Sequence, residues 1–228
     1  MGPQSDLLKP TPFSRLGWAL WCLWLLVGTL TLAFMDKGEG VLALNGQHSP
    51  LLDRLFWLLT GLGNGWMFLL ALILLVLIRN YHTLPFLFAV LLQTALVHLG
   101  KRILFPGALR PRAWFDESIP LHVVEGVKTH MVHSFPSGHT ATAFTLACLV
   151  MLLHQRTWST LLAFGLAIGA GLSRMYLIQH FAEDVVVGSI VGLITVLITW
   201  ALFYRSIPKA LQGPFWHRSI LSRSAQQG

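Results

Sequence analysis

The sequence predicts an all-α polytopic membrane protein, with six transmembrane helices in one bundle and a polar site at one membrane face. Three observations predict it. The chain is 54% hydrophobic and only 11% charged, with a mean hydropathy of +0.64, where a soluble domain carries about 25% charged residues. Residues 16–35 and 55–78 are continuous runs without a charge, each long enough to cross a hydrocarbon core of about 30 Å as a helix. Most remaining charges and histidines gather in short blocks at the ends of apolar runs.

The six segments are read as 16–35, 55–78, 84–100, 137–154, 157–173 and 185–204. The first follows Lys9 and Arg15. It is too long for a signal-peptide core and has no small-residue cleavage site, so it reads as a retained helix. The start "MGPQSD" has Asp6 where myristoylation requires Ser or Thr. The third segment carries Gln93 and His98, with Pro85 at its start, where a helix tolerates proline. The fourth is short and rich in Ala and Thr. Residues 205–228 form a polar, basic tail. Cys22 and Cys148 both fall inside spans and read as packing residues. No internal repeat divides the chain, so residues 1–228 are expected to form one membrane domain.

Six spans place both termini on one side. The 16 Lys and Arg divide evenly between the two sides, so the positive-inside count alone is neutral. Setting aside Lys101, Arg110 and Arg174 as site cations tips the balance toward cytoplasmic termini. The stretch 101–136 and the segment 173–184 then face outward.

Three polar blocks lie on that outer side: "KRILFPGALRPR" at 101–112, "HSFPSGHTATAF" at 133–144 and "SRMYLIQHFAED" at 173–184. In the third, His180 and Asp184 are four apart, the spacing of one helix face. A carboxylate there holds one imidazole nitrogen and leaves the other as a nucleophile or base. Arg174 is placed to reach the same cavity, and Glu183 reads as a solvated charge. In the second block, Ser137 can cap a helix and Gly138 lets backbone approach a ligand, making an anion cradle with His139 in the first turn. In the first, Arg110 before Pro111 has the planar fork suited to phosphate, and Lys101 adds a point charge. Arg102 and Arg112 read as interfacial cations whose stems lie along the membrane.

These blocks resemble the signature of the type 2 phosphatidic acid phosphatase (PAP2) superfamily of integral-membrane lipid phosphatases. "PSGH" stands at 136–139, and "SR" at 173–174 is followed by His180 and Asp184 at the family spacings. The resemblance covers about residues 55–204. The first motif departs from the pattern: eight residues separate Lys101 from Arg110 instead of six, and Ile103 occupies the expected lysine position. Lys101 is preferred as the motif cation, with Arg102 as its rival.

The resemblance implies a metal-independent phosphatase that acts through a phosphohistidine. His180 is then the nucleophile, Asp184 its orienting carboxylate, and His139 the acid and base. Lys101, Arg110, Ser137, Gly138 and Arg174 bind the phosphate. No cofactor, metal or nucleic-acid partner is expected. His122, His130, His133 and His139 crowd one loop, but no Cys or carboxylate joins them at a zinc spacing, so they read as loop residues, with His133 facing the site. The expected substrate is an amphiphilic lipid phosphate or pyrophosphate. Phosphatidic acid, phosphatidylglycerol phosphate, undecaprenyl pyrophosphate and lipid A 1-phosphate all fit. The expected location is a bacterial inner membrane, with the site at its outer face. A phosphotransferase passing phosphate between lipids would use the same residues. A transporter is disfavoured because the span middles carry almost no charge, and a non-catalytic scaffold because His139, His180 and Asp184 are all present.

Overall fold

The computed structural model describes Lys9, residues 11–78, residues 80–206 and Pro208. All but the start of the basic tail expected over 205–228 lies outside these residues. The described chain is helical. Its one β feature is an isolated antiparallel bridge between Leu109 and Val132.

The first helix, α1 (Arg15–Phe34), starts where the Ser14 side chain accepts from the Gly17 amide at 3.2 Å, satisfying one of the helix's unpaired first-turn donors. After the short α2 (Glu39–Asn45), α3 (Pro50–Gly61) begins with Ser49 as cap and Pro50 at the first helical position. Then α4 (Trp66–Ile78) follows at a bend of 53°. The single span expected over 55–78 is therefore broken. The cause is "GLGNG" at 61–65, where glycines remove the side chains that would carry the helix through. A Cβ on Gly63 would sit 2.6 Å from the His139 carbonyl oxygen, so the break also lets α3–α4 lie directly against the second polar block.

A single 3₁₀ turn (Asn80–His82) leads into α5 (Thr83–Leu99), which continues as a π-helical turn over Gly100–Leu104. Between Phe105 and Ser137 the only helix among the described residues is the short α6 (Pro111–Trp114). Three long helices close the fold: α7 (Gly138–His154), α8 (Thr157–Tyr176) and α9 (Ala182–Phe203). By length and composition, α1, the continuous 83–104 helix and α9 are able to cross a membrane, and α3 with α4 makes a fourth span if the bent pair counts as one. At 17 residues, α7 is a shorter apolar helix.

In this bundle α7 is the axis: Thr140 to Leu152 is buried on nearly every side, with α8 and α9 as its principal neighbours. Small residues let α9 approach. A Cβ on Gly188 would lie 2.6 Å from the Ser137 carbonyl oxygen, and one on Gly192 would lie 2.9 Å from the Phe144 Cβ. Close backbone approach of this kind replaces the hydrophobic drive that is absent between helices in lipid. It brings the N-terminus of α9 to that of α7, where the Ser137 amide donates to the Asp184 carbonyl at 3.0 Å.

An aromatic cluster of Trp21, Phe144 and Phe164, with ring centroids 5.3–5.6 Å apart, locks α1 and α8 against α7. Trp21 is thus a core residue, and Trp24, partly buried against the same core, donates to Ser189 Oγ at 2.9 Å. Outward faces keep large apolar side chains exposed, including Leu23, Leu26, Leu69 and Leu91, as lipid contact requires. Cys148 is buried in the core and Cys22 lies on an exposed face.

The described chain ends meet at one end of the bundle. The Lys9 amide donates to Tyr204 O, Trp200 Nε1 to Lys9 O, and Gln155 Nε2 to Thr11 O. The three polar blocks lie at the opposite end of α7.

Candidate active site

Six of the eight residues singled out by sequence line one cavity of about 350 Å³: Lys101, Arg110, Gly138, His139, Arg174 and His180. They come from four separate parts of the chain. The other two, Ser137 and Asp184, are buried immediately behind the wall.

His180 sits in the short connection between α8 and α9. The helical face expected for His180 and Asp184 is not how they meet, because Phe181 is the N-cap and His180 precedes the helix. The carboxylate at the third helical position reaches back across the cap. Asp184 Oδ2 accepts from the Phe181 amide at 2.9 Å, from His180 Nδ1 at 3.2 Å and from the Ser134 hydroxyl. With Nδ1 carrying the proton, Nε2 is the nitrogen with a lone pair. Both side chains are only 1–2% exposed. Burial first, then the charges of Arg110, Arg174 and Lys101, hold the imidazole pKa well below its ordinary value. The ring is therefore neutral and nucleophilic across the physiological range.

His139 occupies the first turn of α7, behind the Ser137 cap. The Ser137 hydroxyl accepts from Thr140 Oγ1 at 2.8 Å and from the Thr140 amide at 3.4 Å, so its geometry here is that of a helix cap. Asn64, in the break between α3 and α4, accepts from His139 Nε2 at 2.8 Å. This contact puts the proton on Nε2 and leaves Nδ1 available for exchange. A Cβ at Gly138 would meet Val97 at an ordinary 3.5 Å. Packing does not demand glycine there, and Gly138 lines the cavity.

The cations are held without acidic partners. Arg174 lies in the last turn of α8, within the segment expected to be loop, and is 5% exposed. It donates to Thr60 Oγ1 on α3, while its Nε has no hydrogen-bond partner among the described residues. Arg110 donates through Nε to Val132 O and through NH1 to both Gln179 O and Gln179 Oε1. Burial pulls its pKa below the ordinary guanidinium value. Lys101 donates to His133 O at 3.0 Å. The ion pairs among the described residues are Lys37–Glu183, His122–Asp53 and His180–Asp184. A buried cation with no counter-ion is costly, and an orphaned guanidinium nitrogen on a cavity wall fits an anion as the missing partner.

The longer first motif has a structural explanation. The wide π turn at 100–104 and the turn at Pro106–Gly107 take up the extra length, and Lys101 reaches the cavity. Arg102 points elsewhere, donating to His133 Nε2 at 3.2 Å in an exposed contact.

Several partners were not singled out from sequence. Ser134, Asn64, Thr60 and Gln179 orient the catalytic candidates, and Lys128 and His130 line the cavity mouth. Ser134 lies inside the second polar block and Asn64 inside the glycine break, so a local signal existed for both. Gln179 lies beside His180 inside the third block, and Thr60 is brought in by folding alone. His130, rather than His133, lines the cavity, and His122 turns away to pair with Asp53 at 3.0 Å. Among the described residues no group of three or more His, Cys, Asp or Glu is placed to hold a metal ion. Glu183 is not simply solvated: it pairs with Lys37 at 3.0 Å.

Arrangement and sequence pattern are those of a PAP2-type membrane phosphatase, and comparison with known proteins agrees. The profile of the PAP2 superfamily matches residues 82–208, more than half of the chain, and the chain belongs to that superfamily. It is 29% identical over 158 residues to the lipid A 4'-phosphatase of Bacteroides thetaiotaomicron, covering 67% of this chain and 70% of that protein. The crystal structure of Aquifex aeolicus LpxE matches with 30% identity and a TM-score of 0.63, over 72% of this chain and 94% of that one. The PAP2-type phosphatidylglycerolphosphate phosphatase from Bacillus subtilis shares the fold, with 22% identity and a TM-score of 0.50 over 81% of this chain and 94% of that one. The protein is an integral-membrane phosphatase of the PAP2 type, a hydrolase from a family of lipid phosphatases.

Proposed function

We propose that the protein removes phosphate from a lipid phosphate or pyrophosphate through a phosphohistidine on His180. One observation carries the reading: two buried cations, Arg110 and Arg174, and the half-buried Lys101, none of them ion-paired among the described residues, surround a neutral histidine whose Nε2 carries the lone pair. His180 Nε2 attacks phosphorus, and the bond to the leaving oxygen breaks. His139, carrying a second proton at Nδ1 in the substrate complex, gives that proton to the leaving oxygen and returns to its neutral Nε2–H form. Lys101, Arg110 and Arg174 hold the non-bridging oxygens, with the Gly138 backbone and the Ser137-capped start of α7 beside them. Asp184 stabilises the imidazolium that forms as Nε2 bonds phosphorus. A water then attacks the phosphohistidine, His139 takes its proton, and inorganic phosphate leaves. Positioned cations supply the charge neutralisation of phosphoryl transfer.

Six crossings are proposed: α1, the bent α3–α4 pair, the 83–104 helix, α7, α8 and α9. They make one domain over 1–228, with the signature region at about 55–204. The meeting of Lys9, Thr11, Gln155, Trp200 and Tyr204 at one end of the bundle supports an even number of crossings. With the termini in the cytoplasm, the site opens at the outer face of the inner membrane. The substrate headgroup then enters from water and its tail stays in lipid. The test is phosphate release in detergent micelles from a panel of lipid phosphates and pyrophosphates, with excess chelator present. Release by the wild type and its loss in folded His180→Ala support the reading. Equal release by both proteins contradicts it.

A further inference from the structure

Two polar side chains at the cavity mouth have no role in the reaction described above. Lys128 and His130 lie in a non-helical stretch of the outer loop and face the same cavity as His180, with Thr129 between them outside its lining. Both are exposed at the mouth. Lys128 makes no ion pair among the described residues.

Their backbone is held by the site itself. Gln179 Nε2 donates to Lys128 O at 3.1 Å, and the same Gln179 accepts from Arg110 through Oε1 at 3.1 Å. The Arg110 amide donates to Met131 O at 2.9 Å, its Nε to Val132 O, and Lys101 Nζ to His133 O. The Ser134 amide donates to Ala108 O at 3.0 Å. Residues 128–134 are thus laced to the phosphate-binding cations by a run of hydrogen bonds. That is more order than a solvated loop charge requires.

Charge and volume point the same way. A phosphate monoester carries a charge of about −2 near neutral pH, and Lys101, Arg110 and Arg174 already exceed it. Lys128 adds positive charge that a single phosphate does not need, and His130 adds a ring N–H donor beside it. The cavity of about 350 Å³ equals roughly 12 waters' worth of liquid at about 30 Å³ each, well beyond one phosphoryl group and one water. The closeness of the four cations is felt at His130, whose pKa is lowered by burial and then by Arg110, Lys128, Arg174 and Lys101.

We propose that Lys128 and His130 form a second phosphate subsite, and that the preferred substrate is a lipid diphosphate whose terminal phosphate goes to His180. This rests on the function proposed above. In the reaction His180 Nε2 bonds the terminal phosphorus while the bridging P–O bond breaks. The electron pair leaves on the lipid monophosphate, where Lys128 and His130 meet the new charge. Water then releases inorganic phosphate from His180 and its proton passes to His139. One lipid diphosphate and one water give one lipid monophosphate and one phosphate.

The test uses one tail with two headgroups: a C15 isoprenyl diphosphate and the matching monophosphate, assayed in micelles with the full chain. The wild type is expected to favour the diphosphate in kcat/KM, and Lys128→Ala/His130→Ala to lower the ratio of the two by about 10- to 100-fold. A wild type without preference for the diphosphate, or a ratio unchanged by the double substitution, overturns the subsite. Calorimetry with methylenediphosphonate and orthophosphate gives a readout independent of turnover. Tighter diphosphonate binding that Lys128→Ala abolishes supports the subsite, and equal affinities overturn it. If the wild type binds neither anion and releases phosphate from no lipid, the phosphatase site itself is wrong, which is a different failure.

Discussion

Replacing Asp184 by asparagine separates two roles of the carboxylate. Three donors converge on Oδ2: the Ser134 hydroxyl, His180 Nδ1 and the Phe181 amide. The Phe181 N–H is fixed by the backbone and cannot accept, so an asparagine keeps its carbonyl oxygen in that place. The Nδ1–H tautomer of His180 therefore survives, and Nε2 keeps its lone pair. Only the negative charge facing the imidazolium of the intermediate is lost. A hydrogen bond to a charged group is worth about 1.5–3 kcal/mol, which converts to about 10- to 150-fold in kcat. Asp184→Ala removes the acceptor as well, frees the tautomer and strands two buried donors, and should cost on the order of 10⁴-fold. Phosphate release by both variants, with folding checked by thermal melting in detergent, gives the comparison. Equal losses in the two variants would refute tautomer control by the Phe181 amide, and near-wild-type rates in both would refute the orienting role.

The other predictions concern neighbouring groups. Asn64→Leu removes the acceptor for His139 Nε2 and should lower kcat about 10-fold with a smaller change in KM; an unchanged kcat would release His139 from this contact. Lys101→Ala should cost about 100-fold or more in kcat/KM and Arg102→Ala no more than about 3-fold, and the reverse order would exchange the two as motif cation. Gly63→Ala drives a methyl to 2.6–2.8 Å of His139 backbone and Cβ atoms and should lower both melting temperature and kcat. His180 is held neutral below its unfolded pKa of about 6.5. The unfolded chain therefore binds a proton that the folded chain does not as pH falls through that value, and stability drops. Between pH 7.5 and 5 the wild type should lose more thermal stability than His180→Gln, and parallel curves would contradict the neutral assignment.

The sequence made much of the site legible because its chemistry is concentrated in short blocks with fixed spacings. His139, His180, Asp184, Arg110 and Arg174 could be named from their neighbours in the chain, and Lys101 despite its altered spacing. The partners that orient them could not. Thr60 meets Arg174 across 114 positions and Asn64 meets His139 across 75, and no local pattern announces such contacts. The fold was read in the same way. Charge-free runs located the long helices, but hydropathy alone cannot see a 53° bend, and "GLGNG" was passed over within an apolar run. His180 and Asp184 meet, but not on the shared helical face expected: α9 starts at Ala182, beyond His180, and the carboxylate in its first turn reaches back over the cap. The inward packing of Trp21 is not legible either, because an aromatic in a membrane helix packs inward or anchors at the interface according to its face, which depends on neighbours the sequence does not name.

The central claim is that phosphate passes through His180, and the direct measurement is capture of that intermediate. Enzyme mixed with a ³²P-labelled lipid phosphate, quenched in alkali within milliseconds and digested, should show acid-labile, alkali-stable label on the peptide containing His180. The label should rise and decay faster than or together with phosphate release, and be absent from folded His180→Ala. Label persisting in His180→Ala, or phosphate release by the wild type through a full single turnover with none bound to protein, would contradict the account.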